Sequence, residues 1–299
     1  MSHWLTSMVS SSAVFPGVPK REGSCASAGP PREHALVPGT LVVFHAHPDD
    51  EAILTAGTMA RAAAEGHRVV LVVATRGDHG EVAEGVLEPG ESLAERRVVE
   101  TGRAADALGV ARVDYLGYVD SGMEGEPSNE ADGSFWSADV DEAAGRLAAI
   151  LERENAEVVT IYDERGGYGH PDHVQVHRVG VRAAELAGTP RVYEATIDRD
   201  QVRKMIRQAR EQSEPGTVPD DMPDPESFDV GVDSERITTT VDVTAFAAQK
   251  RAAMAAHASQ IPADSFFLSA PVDEFAQNFG TEWFIRRGAA PGLSETWLF

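Results

Sequence analysis

The segment that decides the fold runs from Thr40 to Thr75 and reads TLVVFHAHPDDEAILTAGTMARAAAEGHRVVLVVAT. Thr40 to Phe44 is a short unbroken apolar run, which predicts a strand buried on both faces. Ala52 to Glu65 has helical composition and stops at Gly66, a residue that ends helices readily in the left-handed conformation. Arg68 to Thr75 is a second apolar run. Strand, helix and strand within about 35 residues form a βαβ unit, whose right-handed crossover makes the two strands parallel.

The alternation continues outward. A helix over Ser92–Leu108 stops at Gly109, a strand follows over Arg112–Leu116, and a helix over Asp139–Asn155 precedes a strand over Val158–Tyr162. Helix Pro171–Leu186 and strand Arg191–Ala195 close the run. Strands alternating with helices over this length predict an α/β fold, a Rossmann-like three-layer sandwich with a mostly parallel sheet. No G-x-G-x-x-G follows the first strand, so dinucleotide binding lacks support. Ile237 to Phe299 adds a strand, a helix around Phe246–Ala258 and an aromatic tail, a smaller C-terminal extension of a single domain spanning 39–299. Residues 1–38 hold Ser, Pro and Gly without periodicity and are expected to form a disordered arm, and the acidic, Pro-rich stretch 211–234 a solvated loop.

Composition narrows the function. The 299 residues are 42% hydrophobic and carry 48 acidic against 26 basic residues, a formal charge of -22, which repels phosphate backbones and argues against nucleic-acid binding. Lysine occurs only at Lys20, Lys204 and Lys250, a pattern that suits a salt-adapted or GC-rich host as well as any functional cause. A single cysteine, Cys25, excludes a disulfide framework and a Cys-rich zinc module, so any metal must take nitrogen and oxygen ligands. The start has no basic residue before Lys20 and its apolar stretch is broken by serines, a poor secretory leader, and no transmembrane run or anchor is visible. The expected compartment is the cytoplasm.

The chemistry concentrates in two clusters, His45-Ala46-His47-Pro48-Asp49-Asp50-Glu51 and Gly166-Gly167-Tyr168-Gly169-His170-Pro171-Asp172-His173. Each lies where a buried strand ends and a helix begins, the edge at which open parallel sheets bind ligands. Either cluster alone reads equally well as a helix cap, with Asp accepting N-terminal amides. Together, at equivalent positions, they point to a divalent metal of zinc type held by His47, Asp50 and His173, which leaves Asp49 unligated and able to take a proton from a water. His45 reads as a neighbour, and His177, four residues after His173, as a supporting or helix-packing residue.

These two motifs, His47-Pro48-Asp49-Asp50-Glu51 after an apolar strand and Tyr168-Gly169-His170-Pro171-Asp172-His173, resemble the zinc-dependent deacetylases of the PIG-L or LmbE-like family, which includes N-acetylglucosaminyl-phosphatidylinositol deacetylases, the mycothiol-pathway deacetylase and the mycothiol S-conjugate amidase. The resemblance spans about Thr40 to Gly288. It implies a Rossmann-like fold, one Zn2+ per chain (another divalent metal being the alternative) on His47, Asp50 and His173, and Asp49 as general base and then acid. By the same matching His170 and Tyr168 stabilise the oxyanion, Arg97 and Asp120 contact substrate, and His257 lies near the pocket. The implied reaction removes an N-acetyl group from a small amino-sugar conjugate. Two other readings stand beside it: an amidase acting on the cysteine amide of a thiol conjugate, and a noncatalytic carbohydrate-binding protein on the same fold. A homo-oligomer is left open.

Overall fold

The computed structural model describes residues 38–82, 85–212 and 223–299, so the expected arm lies outside the described residues apart from Pro38, as does the middle of the acidic stretch. Seven strands form one sheet: β1 (Thr40–His45), β2 (Arg68–Val73), β3 (Arg112–Tyr115), β4 (Val158–Tyr162), β5 (Arg191–Thr196), β6 (Thr239–Asp242) and β7 (Thr281–Arg286). Their spatial order is β3-β2-β1-β4-β5-β7-β6. The first five are parallel, and β7 joins β5 and β6 antiparallel as the C-terminal extension.

The apolar strand runs are explained by burial on both faces. Leu41 and Val43 of β1, with Val69, Leu71 and Val73 of β2, enter one core; Val42 and Phe44, with Val70 and Val72, enter the other. This two-residue alternation between two apolar layers is why the strands read as continuous hydrophobic runs. Helices α1 (Asp50–Leu54), α2 (Ala56–Ala64), α3 (Leu93–Leu108) and, from the extension, the later helix Ala247–Ala256 cover the first core. Helices α4 (Val140–Arg153) and α5 (Pro171–Ala187) pack on each other and cover the second. Ser92 and Glu95 cap α3 reciprocally, and Pro171 opens α5 at a position where its missing N–H costs nothing.

The single helix expected over 52–65 is broken at Thr55. Its backbone (φ -136°, ψ 2°) leaves the helical region, and its hydroxyl lies 2.9 Å from His45 Nε2. The restarted helix α2 presents the N–H groups of Gly57 and Thr58 to the two carboxylate oxygens of Glu282 on β7, at 2.9 and 2.8 Å. A distant acid caps this helix, which no local pattern announces.

Past β5 the chain forms α6 (Arg199–Gln212), a helix the sequence reading did not place. Ile206 and Ala209 on its inner side pack with Phe228 and Val230. Phe228, Val230 and Val232 are buried, so this described part of the acidic stretch 211–234 is packed and not wholly solvated. The extension is completed by α7 (Ala247–Ala256), α8 (Phe266–Ser269) and α9 (Val272–Phe279) before β7.

Strand order positions the site. From β1 the chain builds outward through β2 and β3 on one side, then returns to lay β4 and β5 on the other. The gap beyond the carboxyl ends of β1 and β4 is therefore a topological switch point, where two loops diverge and leave a crevice. The two His-Pro-Asp clusters are those loops.

Candidate metal centre

Asp49 and Asp50 follow β1 through a turn in which Asp49 takes φ 101°, a left-handed conformation rare for a residue other than glycine. Asp49 stands at the N-cap of α1 without a side-chain capping bond, so the simple capping role fails there. What holds the turn is Glu51, whose Oε2 accepts the Asp49 N–H at 3.0 Å. Its Oε1 lies 2.5 Å from His257 Nε2, on the residue that closes α7. Burial opposes charge on both members, and their contact outweighs it, holding Glu51 below and His257 above their ordinary values.

The second loop turns sharply after β4. Gly166 has φ 61°, and a Cβ there would come within 2.5 Å of His173 Cβ and 2.7 Å of the Val174 nitrogen, so only glycine fits. Its carbonyl lies 3.2 Å from His173 Nδ1. That contact places the proton on Nδ1 and turns the Nε2 lone pair into the site. At the N-cap of α5, His170 Nδ1 accepts the Asp172 N–H at 3.1 Å, which puts its own proton on Nε2. Burial, and next His47, push the His170 imidazole far below its ordinary value, so it stays a neutral donor.

These loops bring His47, Asp50 and His173 together. Asp50 Oδ2 lies 3.5 Å from His47 Nδ1 and 3.4 Å from His173 Nε2. Donors at about 2.1 Å from one tetrahedral ion stand about 3.4 Å apart, so Asp50 Oδ2 lies at that spacing from an imidazole nitrogen on either side. His173 Nε2 and Asp50 Oδ1 are buried without a hydrogen-bond partner among the described residues. Such orphaned donors of the right type in a closed space fit a divalent metal. The imidazoles of His47, His170 and His173 also bring ligand nitrogens within 4.8 Å of one another, and an imidazole nitrogen of His47 lies equally close to carboxylate oxygens of Asp120 and Asp172.

Acidic groups surround His47. Its Nε2 lies 3.1 Å from Asp172 and 3.4 Å from Asp120. Burial pulls this imidazole down, but Asp120, Asp172 and Asp50 together raise it well above its ordinary value. Burial likewise opposes charge on Asp50, and His173 and His47 hold it well below the usual carboxylate range. The acids around His47 thus favour positive charge at that imidazole. Asp49 behaves differently: burial raises it despite Arg97, and its Oδ1 has no hydrogen-bond partner among the described residues.

Residues expected to touch substrate are held more internally than the sequence implied. Arg97 is 3% exposed, donates to the carbonyls of Gly77 and Pro48, and lies 3.3 Å from Asp49 Oδ1. Asp120 accepts the N–H groups of Gly122 and His79 and faces His47. Both still line a small polar cavity with His47, Asp49, His170 and Gln260. Tyr168 Oη is enclosed, without a hydrogen-bond partner among the described residues, and its ring packs edge-on against His173. His45 is engaged by Tyr162 and Thr55, and His177 lies 3.0 Å from the Tyr162 carbonyl. Asp172 and Glu51 went unassigned in the sequence. Asp172 had a signal, since it occupies the same His-Pro-Asp position as Asp49; Glu51 had none beyond adjacency.

The chain matches the family model described as PIG-L, GlcNAc-PI de-N-acetylase, over residues 42–184, which contain both loops. It is 43% identical over 291 residues to the 1D-myo-inositol 2-acetamido-2-deoxy-alpha-D-glucopyranoside deacetylase of Streptomyces avermitilis, covering 87% of this chain and 96% of that one. The chain belongs to the PIG-L family. Among solved structures, the N,N'-diacetylchitobiose deacetylase of Pyrococcus horikoshii shares the fold at TM-score 0.52 and 21% identity, with 85% of this chain and 84% of that chain covered. The 4-carboxy-2-hydroxymuconate hydratase GalB of Pseudomonas putida does so at TM-score 0.53 and 18% identity, with 84% and 97% covered. One fold carries a deacetylase and a hydratase, so the reaction has to be argued from the site.

Proposed function

We propose that this chain is a zinc-dependent hydrolase that removes the N-acetyl group of an N-acetylglucosaminyl conjugate, with the inositol glycoside named for the Streptomyces avermitilis relative as the first substrate to test. One observation carries the reading: the Asp50 carboxylate lies at metal-ligand spacing from His47 Nδ1 and from His173 Nε2, and a separate buried carboxylate, Asp49, stands beside them. A purely binding site has no use for that second acid.

His47, Asp50 and His173 would hold the ion, and a bound zinc supplies Lewis acidity and lowers the pKa of its water toward about 7. Asp49, raised by burial, accepts a proton from the attacking water and returns it to the departing amine. His170 offers Nε2–H, and Tyr168 its hydroxyl, to the oxygen on which negative charge develops. Asp172 and Asp120 orient His47, and Arg97 and Glu51 set the position of Asp49. The polar cavity lined by Asp120, His79 and Gln260 suits sugar hydroxyls.

The test is acetate release by the metal-loaded protein. Chelation is expected to abolish turnover and zinc to restore it. Asp49→Asn should retain about one metal per chain and lose roughly 10²- to 10⁴-fold in kcat, whereas His173→Ala should lose the metal itself. An Asp49→Asn variant with wild-type kcat overturns the assignment of the base.

A further inference from the structure

Three buried polar side chains beside the metal centre have no part in the proposed chemistry: His45 at the end of β1, Tyr162 at the end of β4 and Thr55 at the break between α1 and α2. They form one hydrogen-bonded chain. Tyr162 Oη lies 2.7 Å from His45 Nδ1, and His45 Nε2 lies 2.9 Å from Thr55 Oγ1. The Thr55 hydroxyl donates at 3.4 Å to the Glu51 carbonyl, which leaves its oxygen to accept the His45 Nε2–H. His45 Nδ1 is then the acceptor for the Tyr162 hydroxyl, whose oxygen takes the Ala46 N–H at 3.4 Å. Every donor in the chain is matched, and the chain ties the two strands at the switch point to the helix that carries Asp50.

Its far end is a ring face. Tyr162 stacks on His173, with ring centroids 4.5 Å apart and planes 29° from parallel. Tyr168 meets the same imidazole edge-on, at 5.0 Å. Tyr162, Tyr168 and His173 also border an apolar cavity of about 180 Å³ between β5, α6 and the α8–α9 segment, whose walls include Ile197, Val202 and Ile206. Packing around these rings is therefore incomplete, and the bond at its hydroxyl is what fixes the Tyr162 plane. A buried hydrogen-bonded chain adds little net stability over an apolar filling of the same shape. What it supplies is a fixed rotamer, and the groups behind a metal-binding imidazole are where fixed rotamers count.

We propose that Tyr162, locked by His45 and Thr55, is a positioning residue that presets His173 Nε2 for the metal. The inference rests on the metal centre read above. Asp50 Oδ2 is already held by the His47 N–H at 2.9 Å, so the imidazole 3.4 Å away is the partner with freedom to turn. The Gly166 carbonyl sets which nitrogen of His173 points inward, and the Tyr162 ring sets the plane in which it points.

The experiment is zinc titration of the metal-free full chain against a competing chelator, at a temperature where circular dichroism shows each variant folded. Under that condition global destabilisation leaves Kd unchanged, because the competent state is already almost fully populated. Tyr162→Phe keeps the ring, removes the hydroxyl and should weaken zinc binding about 10- to 100-fold. Thr55→Val keeps the shape and removes the other end of the chain, and should weaken it by about threefold or more, whereas Thr55→Ser should stay within about twofold of wild type. Combining Tyr162→Phe with Thr55→Val should cost no more than Tyr162→Phe alone, because both break one chain. Unchanged affinity in Tyr162→Phe, or losses that multiply in the double variant, overturns the lock and leaves the metal reading intact. If Tyr162→Phe does not fold, the Thr55 pair decides: equal affinity in Thr55→Val and Thr55→Ser overturns the lock. A wild-type chain that binds no zinc overturns both readings.

Discussion

Glu51 holds Asp49 by the backbone: its carboxylate accepts the Asp49 N–H at 3.0 Å, and that peptide belongs to a non-glycine residue at φ 101°. Such a conformation costs about 1–3 kcal/mol and persists only where neighbours over-determine it. Removing the acceptor with Glu51→Ala should let the turn relax and move the Asp49 carboxylate. A displacement of about 1 Å costs on the order of 10² in rate, so kcat should fall by about that factor with KM within about threefold and metal content kept. Glu51→Gln retains an acceptor oxygen and should lose less than about tenfold. Steady-state kinetics with metal analysis on both variants checks this; equal losses in the two contradict it.

Gly166 is the corresponding constraint on the other loop. Alanine there would need a Cβ 2.5 Å from His173 Cβ in a left-handed backbone. The expected cost is about 2–3 kcal/mol, which shifts the thermal midpoint down by roughly 4–12 °C in a chain of this size. Because the displaced residue is His173, zinc affinity should fall with it. Calorimetric melting with and without zinc separates the two effects, and a variant that melts like wild type would show that the loop can move.

Glu282 caps α2 and neutralises Lys250, both buried, which ties the C-terminal extension to the start of the sheet. Truncating one partner of a buried pair typically costs about 3–5 kcal/mol, because the other charge stays uncompensated. Glu282→Ala should therefore lower the urea midpoint strongly at unchanged slope. Glu282→Ala paired with Lys250→Met should recover part of the loss. No recovery in the double variant would assign the whole effect to the lost cap.

His45 is 1% exposed, and burial chiefly lowers its pKa to about 4. The folded state needs this imidazole neutral, whereas the unfolded chain protonates it near about 6.5. Its contribution is fully present above that value and is lost as pH falls toward 4, up to about 3 kcal/mol. In metal-free protein the His45 imidazole should remain neutral by NMR down to about that pH. A midpoint near the ordinary value would show that it is not enclosed.

By itself the sequence determined the parallel sheet and the location of the chemistry. Runs such as Leu41–Phe44 and Val69–Val73 are continuous because both sheet faces are covered, and that pattern is local enough to read. His47-Pro48-Asp49-Asp50 and His170-Pro171-Asp172-His173 were legible for the same reason: their spacing and their place after strands are contiguous in the chain. Only tertiary structure decided the rest. The capping of α2 by Glu282 and the clamp of His257 on Glu51 join residues more than 200 positions apart, and the break at Thr55 accompanies a contact back to His45, so no periodicity records them. Arg97 is a substrate-contact candidate only through the family resemblance, and the fold adds its contacts with Pro48 and Asp49 at the wall of the polar cavity. The apolar cavity is the extreme case, since β5, α6 and the C-terminal extension each supply part of its wall and none of them encodes an empty space.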